Sequence, residues 1–373
     1  DAFERVVIIL SICRELLSGF VLSLFVLALP LTVLGEEQIE SNSVSKSFLD
    51  SLETKSIKEV ETFSPPKPIK INPPKYPRRA FSDQKEGWVS VNFMVDDIGK
   101  PYEIAVTGYS NETFVKAAIR AVEKWDFQPA SIDDRSIDAA TSFRITFELS
   151  GPSQASRTVR KAYSSAISAI RNKNRDEAQQ LIDRMKIKKA NLYEEAYYWL
   201  ARYYFAQTWE DEDRQYSALQ KALYRDSSEK YFLPKRSVGA LLLNKLDLEV
   251  KQSYLRDALE TSSLLEKYSL TDEDLKYIEG IVTQIKRIRD GDGLVVVNGR
   301  VGAGNSSYHR LLKSQFSFSE VKGDIAELRL RCEKGYVGFI YKEGTAYEAE
   351  NGVGECSLQI IGDPGTTFKL LEL

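Results

Sequence analysis

Histidine is almost missing from this chain: His309 is the only one in 373 residues. A Ser-His-Asp or Cys-His arrangement would have to be built on it. It sits in SSYHRLLK between expected strands, where a packing or surface role suits it better than catalysis. No GxSxG elbow and no HExxH pair occur, so the chain reads as non-enzymatic, with no metal and no cofactor. The glycines of NGRVGAGNSS, at 299, 302 and 304, lack the GK[ST] ending of a phosphate loop and read as a hairpin loop. DGDG at 290–293 lacks the ligand series of a calcium loop and reads as a turn between domains.

Cysteine is also scarce, with three residues, too few for a disulfide-built scaffold or a zinc ribbon. Cys13 lies in an apolar leader. Near the C-terminus, the alternation in ELRLRC groups Leu328, Leu330 and Cys332, and that in CSLQII groups Cys356, Leu358 and Ile360. Both sulfurs then point into a shared core, either as two buried thiols or as a Cys332–Cys356 disulfide. A bridge would close a loop of about 25 residues and add roughly 3–4 kcal/mol on the chain-entropy model. An excess of either charge is missing too: 51 Lys and Arg face 54 Asp and Glu, a net charge of -3. No basic field exists to collect phosphate backbones, and nucleic acid is not an expected partner.

What is present falls into segments. Residues 1–35 hold VVIILSIC, the charged pair Arg14 and Glu15, and an apolar run of about eighteen residues ending at Gly35, which is either a signal peptide or a membrane anchor. Either reading exports the rest of the chain, soluble after cleavage or held in a membrane by residues 6–34. Residues 36–75 are polar and end in SPPKPIKINPPK, the composition of a semi-rigid linker. From 76 to 150 the pattern is a small antiparallel sheet with a helix. Val89, Val91, Phe93 and Val95 share one face of a first strand, DDIG turns the chain, and Tyr102, Ile104 and Val106 alternate in a second. In ETFVKAAIRAVEKWDFQPA, Phe114, Ala117, Ala118, Ala121, Val122 and Trp125 follow the spacing of one helical face, and Pro129 forbids continuation. Phe143, Ile145, Phe147 and Leu149 then face inward from a last strand.

The series Tyr76-Pro77, Gly87-Trp88-Val89, Gly99, and Ala121-Val122, Trp125, Phe127, Pro129-Ala130 resembles the C-terminal domain of TonB-family energy transducers, over residues about 73–150. Asp126 departs from it, since the family usually carries a basic residue between the two aromatics. The resemblance implies a location in the periplasm, soluble after cleavage or anchored in the inner membrane by residues 6–34, and an outer-membrane TonB-dependent receptor, or another envelope protein, as partner. The receptor's N-terminal box would add as a strand to the edge made by Phe143, Arg144, Ile145, Thr146, Phe147 and Glu148. It also raises energy transduction through an inner-membrane proton-channel complex. Members that do this carry a histidine in the membrane helix, which residues 1–35 lack.

Residues 156–290 read as helix after helix. YEEAYYWLARYYFAQTW and DRQYSALQKALYRDS are similar to one tetratricopeptide repeat, with Tyr197, Leu200, Ala201 and Tyr204 packing against Ala218 and Ala222. The aromatics Tyr193, Tyr197, Tyr198, Trp199, Tyr203, Tyr204, Phe205 and Trp209 are too many for one face, so one or two are expected at the surface. Residues 293–373 return to strands and suggest a β-sandwich or barrel. The expected whole is multidomain: an α+β domain, an all-α helical-repeat domain and an all-β domain. Its work is recognition of a receptor, or alternatively a scaffold in which the repeats or the β domain hold an envelope protein or a cell-wall component.

Overall fold

Two short strands arise inside the stretch read as linker, β1 (Phe63–Ser64) and β2 (Lys67–Lys70). They pair antiparallel with segments that follow Trp125: β2 with β5 (Asp126–Gln128) and β1 with β6 (Ala130–Ile132), which also pairs with β7 (Arg135–Ile137). The spacer reading therefore does not hold over 63–70. Pro68 lies in an edge strand, the place in a sheet where proline is tolerated. The computed structural model describes residues 63–373 apart from Pro152 and Asn351; the leader and residues 36–62 of the linker lie outside the described residues. No helix among the described residues is long and apolar enough to cross a membrane. The described residues fall within one compact unit.

The α+β domain contains α1 (Arg78–Ser82), β3 (Gly87–Val95), β4 (Pro101–Tyr109), α2 (Val115–Val122) and β8 (Ala139–Phe147). Its sheet has the order β4-β3-β8, all antiparallel. A single turn of 3-10 helix, Glu112–Phe114, leads into α2, and the Asn111 side chain caps it by accepting from the Thr113 amide. Val89, Val91, Phe93 and Val95 join Phe114, Ala118, Ala121, Val122, Trp125 and Phe127 in one core on the α2 side.

The helical region is α3 (Arg157–Arg171), α4 (Arg175–Lys188), α5 (Leu192–Trp209), α6 (Glu212–Ala222), α7 (Lys235–Lys251), α8 (Leu255–Leu265) and α9 (Asp272–Asp290). Side chains of Ser156, Asn174, Asn191 and Asp211 cap the starts of α3 to α6, and Thr271 with Asp274 forms a capping box on α9. Consecutive helices pack as hairpins, with Leu200 and Ala201 of α5 and Ala218 and Ala222 of α6 buried. None of the eight α5 aromatics is exposed: Tyr198, Tyr203 and Phe205 are buried and the others half-buried. The expected surface pair is absent because neighbours close on both sides of α5; Lys221 lies over the Trp199 ring and Phe232 meets Tyr193.

The C-terminal region is a sandwich of two four-stranded sheets. One has the order β10 (Ser306–Arg310), β15 (Cys356–Gly362), β12 (Ile325–Cys332), β13 (Gly335–Ile340). The other runs β14 (Ala346–Glu348), β11 (Gln315–Lys322), β16 (Thr367–Glu372), β9 (Val295–Arg300). Cys332 and Cys356 lie opposite each other in the β12/β15 register and are bonded through their sulfurs. His309 is buried, its Nε2 2.9 Å from Glu372, whose other oxygen accepts the Leu312 and Lys313 amides. One core is continuous from the helices into the sandwich.

A buried carboxylate within the helices gives a pH-dependent expectation. Glu249 is fully buried; one oxygen receives Tyr216 and Lys245, and the other has no hydrogen-bond partner among the described residues. Burial pushes its pKa up, against the opposing pull of Lys245. A carboxyl whose folded pKa exceeds its unfolded value stabilises fully below the unfolded value, about 4.3, and loses that contribution as pH rises through the folded value. Glu249→Gln removes the titration. The stability advantage of wild type over the variant is therefore expected to be larger at pH 4 than at pH 7, read by chemical denaturation at both.

Candidate functional site

The sheet of the α+β domain is buried on both faces, and this decides which part of it is left for a partner. On the α2 side, Phe143, Ile145 and Phe147 of β8 enter the aromatic core. Tyr76 meets Phe81, Phe114 and Phe147 edge-on at 5.8 to 6.0 Å, and its hydroxyl donates to the Lys85 carbonyl at 2.6 Å. Burial pushes that phenol up to about 12. Pro77 precedes the first residue of α1 in extended geometry. The Trp125 indole donates to the Asn72 carbonyl at 2.8 Å, so the end of the linker is tied to the end of α2.

Two glycines in this domain are dictated by close approach. Gly99 has φ +87°, and a Cβ there would lie 1.9 Å from the Phe127 carbonyl oxygen. The Phe127 amide donates to the Gly99 carbonyl, which brings the hairpin turn against β5. At Gly87 a Cβ would meet the Phe114 ring at 2.3 Å. Pro129 separates β5 from β6, and Asp126, where the resemblance expects a basic residue, is ion-paired with Lys100. That pair holds the Asp126 carboxyl below its usual range.

On the opposite face, β3 and β8 meet the helices. Trp88 stacks on Tyr224 with ring centroids 4.3 Å apart and planes 8° from parallel. Thr146 shares a 2.8 Å hydrogen bond with the Tyr224 hydroxyl, Arg144 pairs with Glu229, and Glu148 lies 3.8 Å from Lys230. Glu86 completes the junction: its two oxygens accept the Leu149 amide at 2.9 Å and the Leu192 amide at 3.0 Å. Its pKa is raised by burial, which these bonds partly offset. The sandwich meets the sheet through side chains of β4, and its β12 and β13 also come close to β8. In β4 the expected alternation of Tyr102 with Ile104 and Val106 is broken by a bulge at Glu103, φ +47°. Ile104 and Val106 pack into the α2 core, while Tyr102 turns to Tyr336 and donates to Asp138 at 2.5 Å. The Glu103 carboxylate accepts Arg329 at 2.7 Å and Arg331 at 3.4 Å.

β8 ends the sheet order, and among the described residues no strand pairs with its outer side. The helical region thus reaches β8 through the side chains of Arg144, Thr146 and Glu148, perpendicular to the direction in which a further strand would hydrogen-bond. Residues Phe143–Phe147 lie in this strand and Glu148 just beyond it. Among the described residues, no group of acidic, histidine and cysteine side chains could hold a metal. Missing from the sequence reading was the second buried face of β3. Its signal was there: Trp88 and Met94 are out of phase with Val89, Val91, Phe93 and Val95, so WVSVNFMV is nearly continuous in apolar residues, the mark of a strand buried on both sides.

Residues 72–149 match the sequence model of the family described as Gram-negative bacterial TonB protein C-terminal. Among solved structures, the solution structure of the Pseudomonas aeruginosa TonB C-terminal domain is similar at 27% identity, covering 24% of this chain and 91% of that one, with a TM-score of 0.22. No curated protein matches the chain.

Proposed function

With a TonB-type C-terminal domain at residues 72–149 as the premise, we propose that this is an envelope protein that recognises an outer-membrane receptor by accepting an extended receptor peptide along the outer edge of β8. The observation that carries the reading is the ordering of the sheet: the helices pack on its second face and the sandwich meets it through β4, while β8 keeps an edge with no paired strand among the described residues. Backbone N–H and C=O groups on such an edge bind an extended chain through a ladder of main-chain bonds, and side-chain pockets supply selectivity. The work is binding rather than catalysis. The domain lies between the linker and the large helical and sheet-rich body, so the peptide would be taken up by an assembly and not by a freely tethered module.

Proline scanning tests this. Proline removes an amide donor, so at whichever of Arg144 and Ile145 directs its N–H outward it deletes a bond to the incoming peptide and none to β3. That variant is expected to lose binding of the receptor's N-terminal peptide by calorimetry while keeping a folded circular-dichroism spectrum, with a melting temperature lowered only by the loss of the replaced side chain's own contacts. Unchanged affinity in the folded variant would refute strand addition at this edge.

A further inference from the structure

A cavity of about 350 Å³ lies where the sheet domain meets the helices, lined by Lys85 and Asn111 on one side and by Lys186, Lys189, Tyr198 and Trp199 on the other. Two carboxylates also border it, Glu86 and Glu195, and both are already engaged. Glu86 accepts two backbone amides, and Glu195 accepts the Trp199 indole at 2.6 Å and pairs with Lys189. Lys85 and Lys186 have no acidic partner among the described residues.

A fourth ammonium stands behind the wall. Lys221, at the end of α6, lies 4.2 Å above the Trp199 ring, and Lys189 lies 5.2 Å above Tyr198. A ring face orients an ammonium but does not neutralise it, as a carboxylate would. Burial lowers the Lys221 pKa, while Glu195 favours its charged form and Lys189 opposes it. The Lys221 ammonium has no acceptor among the described residues. Four ammoniums around two occupied carboxylates make this cavity an attractor for negative charge in a setting partly withdrawn from water, where Coulombic terms are less screened.

We propose that this junction cavity is a binding site for a compact polyanion, a small molecule with two or more phosphate or carboxylate groups, gripped by Lys85 from the sheet side and by Lys186 and Lys189 from the helices, with Lys221 adding positive charge from behind the Trp199 ring. Because its ligands come from both sides, an occupant would tighten the sheet domain on the helical region. The site is separate from the β8 edge and stands whether or not that edge takes a peptide.

The test is calorimetry on the full chain at low ionic strength with pyrophosphate and, separately, citrate. Saturable binding of at least one anion is expected, with a rise in melting temperature, and the anion preferred assigns the chemistry to phosphate or carboxylate. Lys85→Gln should weaken it about tenfold, the scale of one lost charge-assisted hydrogen bond, and Lys221→Gln by less, since that charge acts from behind the Trp199 ring. Lys276→Gln, on the exposed side of α9, should leave it unchanged. Lys85 is half-exposed, so its variant remains informative if Lys221→Gln fails to fold. Binding of neither anion, or equal affinity in Lys85→Gln and Lys276→Gln, would overturn the proposal.

Discussion

Trp88→Ala lowers the unfolding free energy by about 3–5 kcal/mol, the usual cost of truncating a buried tryptophan, with a further effect specific to its position. Val89, Val91, Phe93 and Val95 of β3 belong to the domain's own core, but Trp88 belongs to the core of the helices and sandwich. It is therefore the apolar side chain of β3 that keys the sheet to the helices. Removing Phe93 should damage the α+β domain from within, whereas removing Trp88 should uncouple it from the helices while its own core survives. Denaturation followed by two probes separates the cases. Near-ultraviolet circular dichroism and limited proteolysis should report a loosened junction before the sheet unfolds in Trp88→Ala only. A double-mutant cycle with Tyr224→Ala should return a coupling of about 0.5–1.5 kcal/mol, the range for aromatic pairs.

Removal of the Cys332–Cys356 bond is the second large effect. The bond joins positions 24 residues apart on adjacent strands of the sandwich. Closing a loop of that length reduces the entropy of the unfolded chain by an amount worth roughly 3–4 kcal/mol at 25 °C. The Cys332→Ala/Cys356→Ala double variant should lose about that much stability, and reductant should lower wild type to the same level while leaving the variant unaffected. Both sulfurs are buried, so the alanine pair also leaves a small packing deficit and the measured loss should fall at or above the entropic figure. A loss below about 1 kcal/mol would mean that the unfolded chain is already constrained in this region.

Local patterns made much of this architecture readable. The helical spacing from Phe114 to Trp125 identified the residues that pack on the sheet, because a helix face is encoded within a dozen positions. The alternation of Cys332 and Cys356 with their apolar neighbours put both sulfurs inside for the same reason. Other features depended on distant partners. Residues 63–70 have a spacer's composition, and only the presence of β5 and β6 turns them into strands. Tyr102 fits a regular alternation, and a single residue at positive φ, Glu103, sends it to the opposite face. The aromatics of α5 outnumber one helical face, but how many sides of a helix are covered is a property of the assembly and not of its own sequence. The candidate edge is intermediate: its strand was legible, but that helices would pack on the face beside it depended on distant contacts such as Trp88 with Tyr224.

Hydrogen exchange at the amides of residues 143–148 in the full chain, with and without a receptor's N-terminal peptide, tests the central claim most directly. Strand addition predicts that the amides of β8 bonded to β3 are protected throughout. The alternate, outward amides should exchange rapidly in the free protein and slow markedly when peptide is bound. Outward amides already protected in the free protein, or left unprotected at saturating peptide, would contradict it.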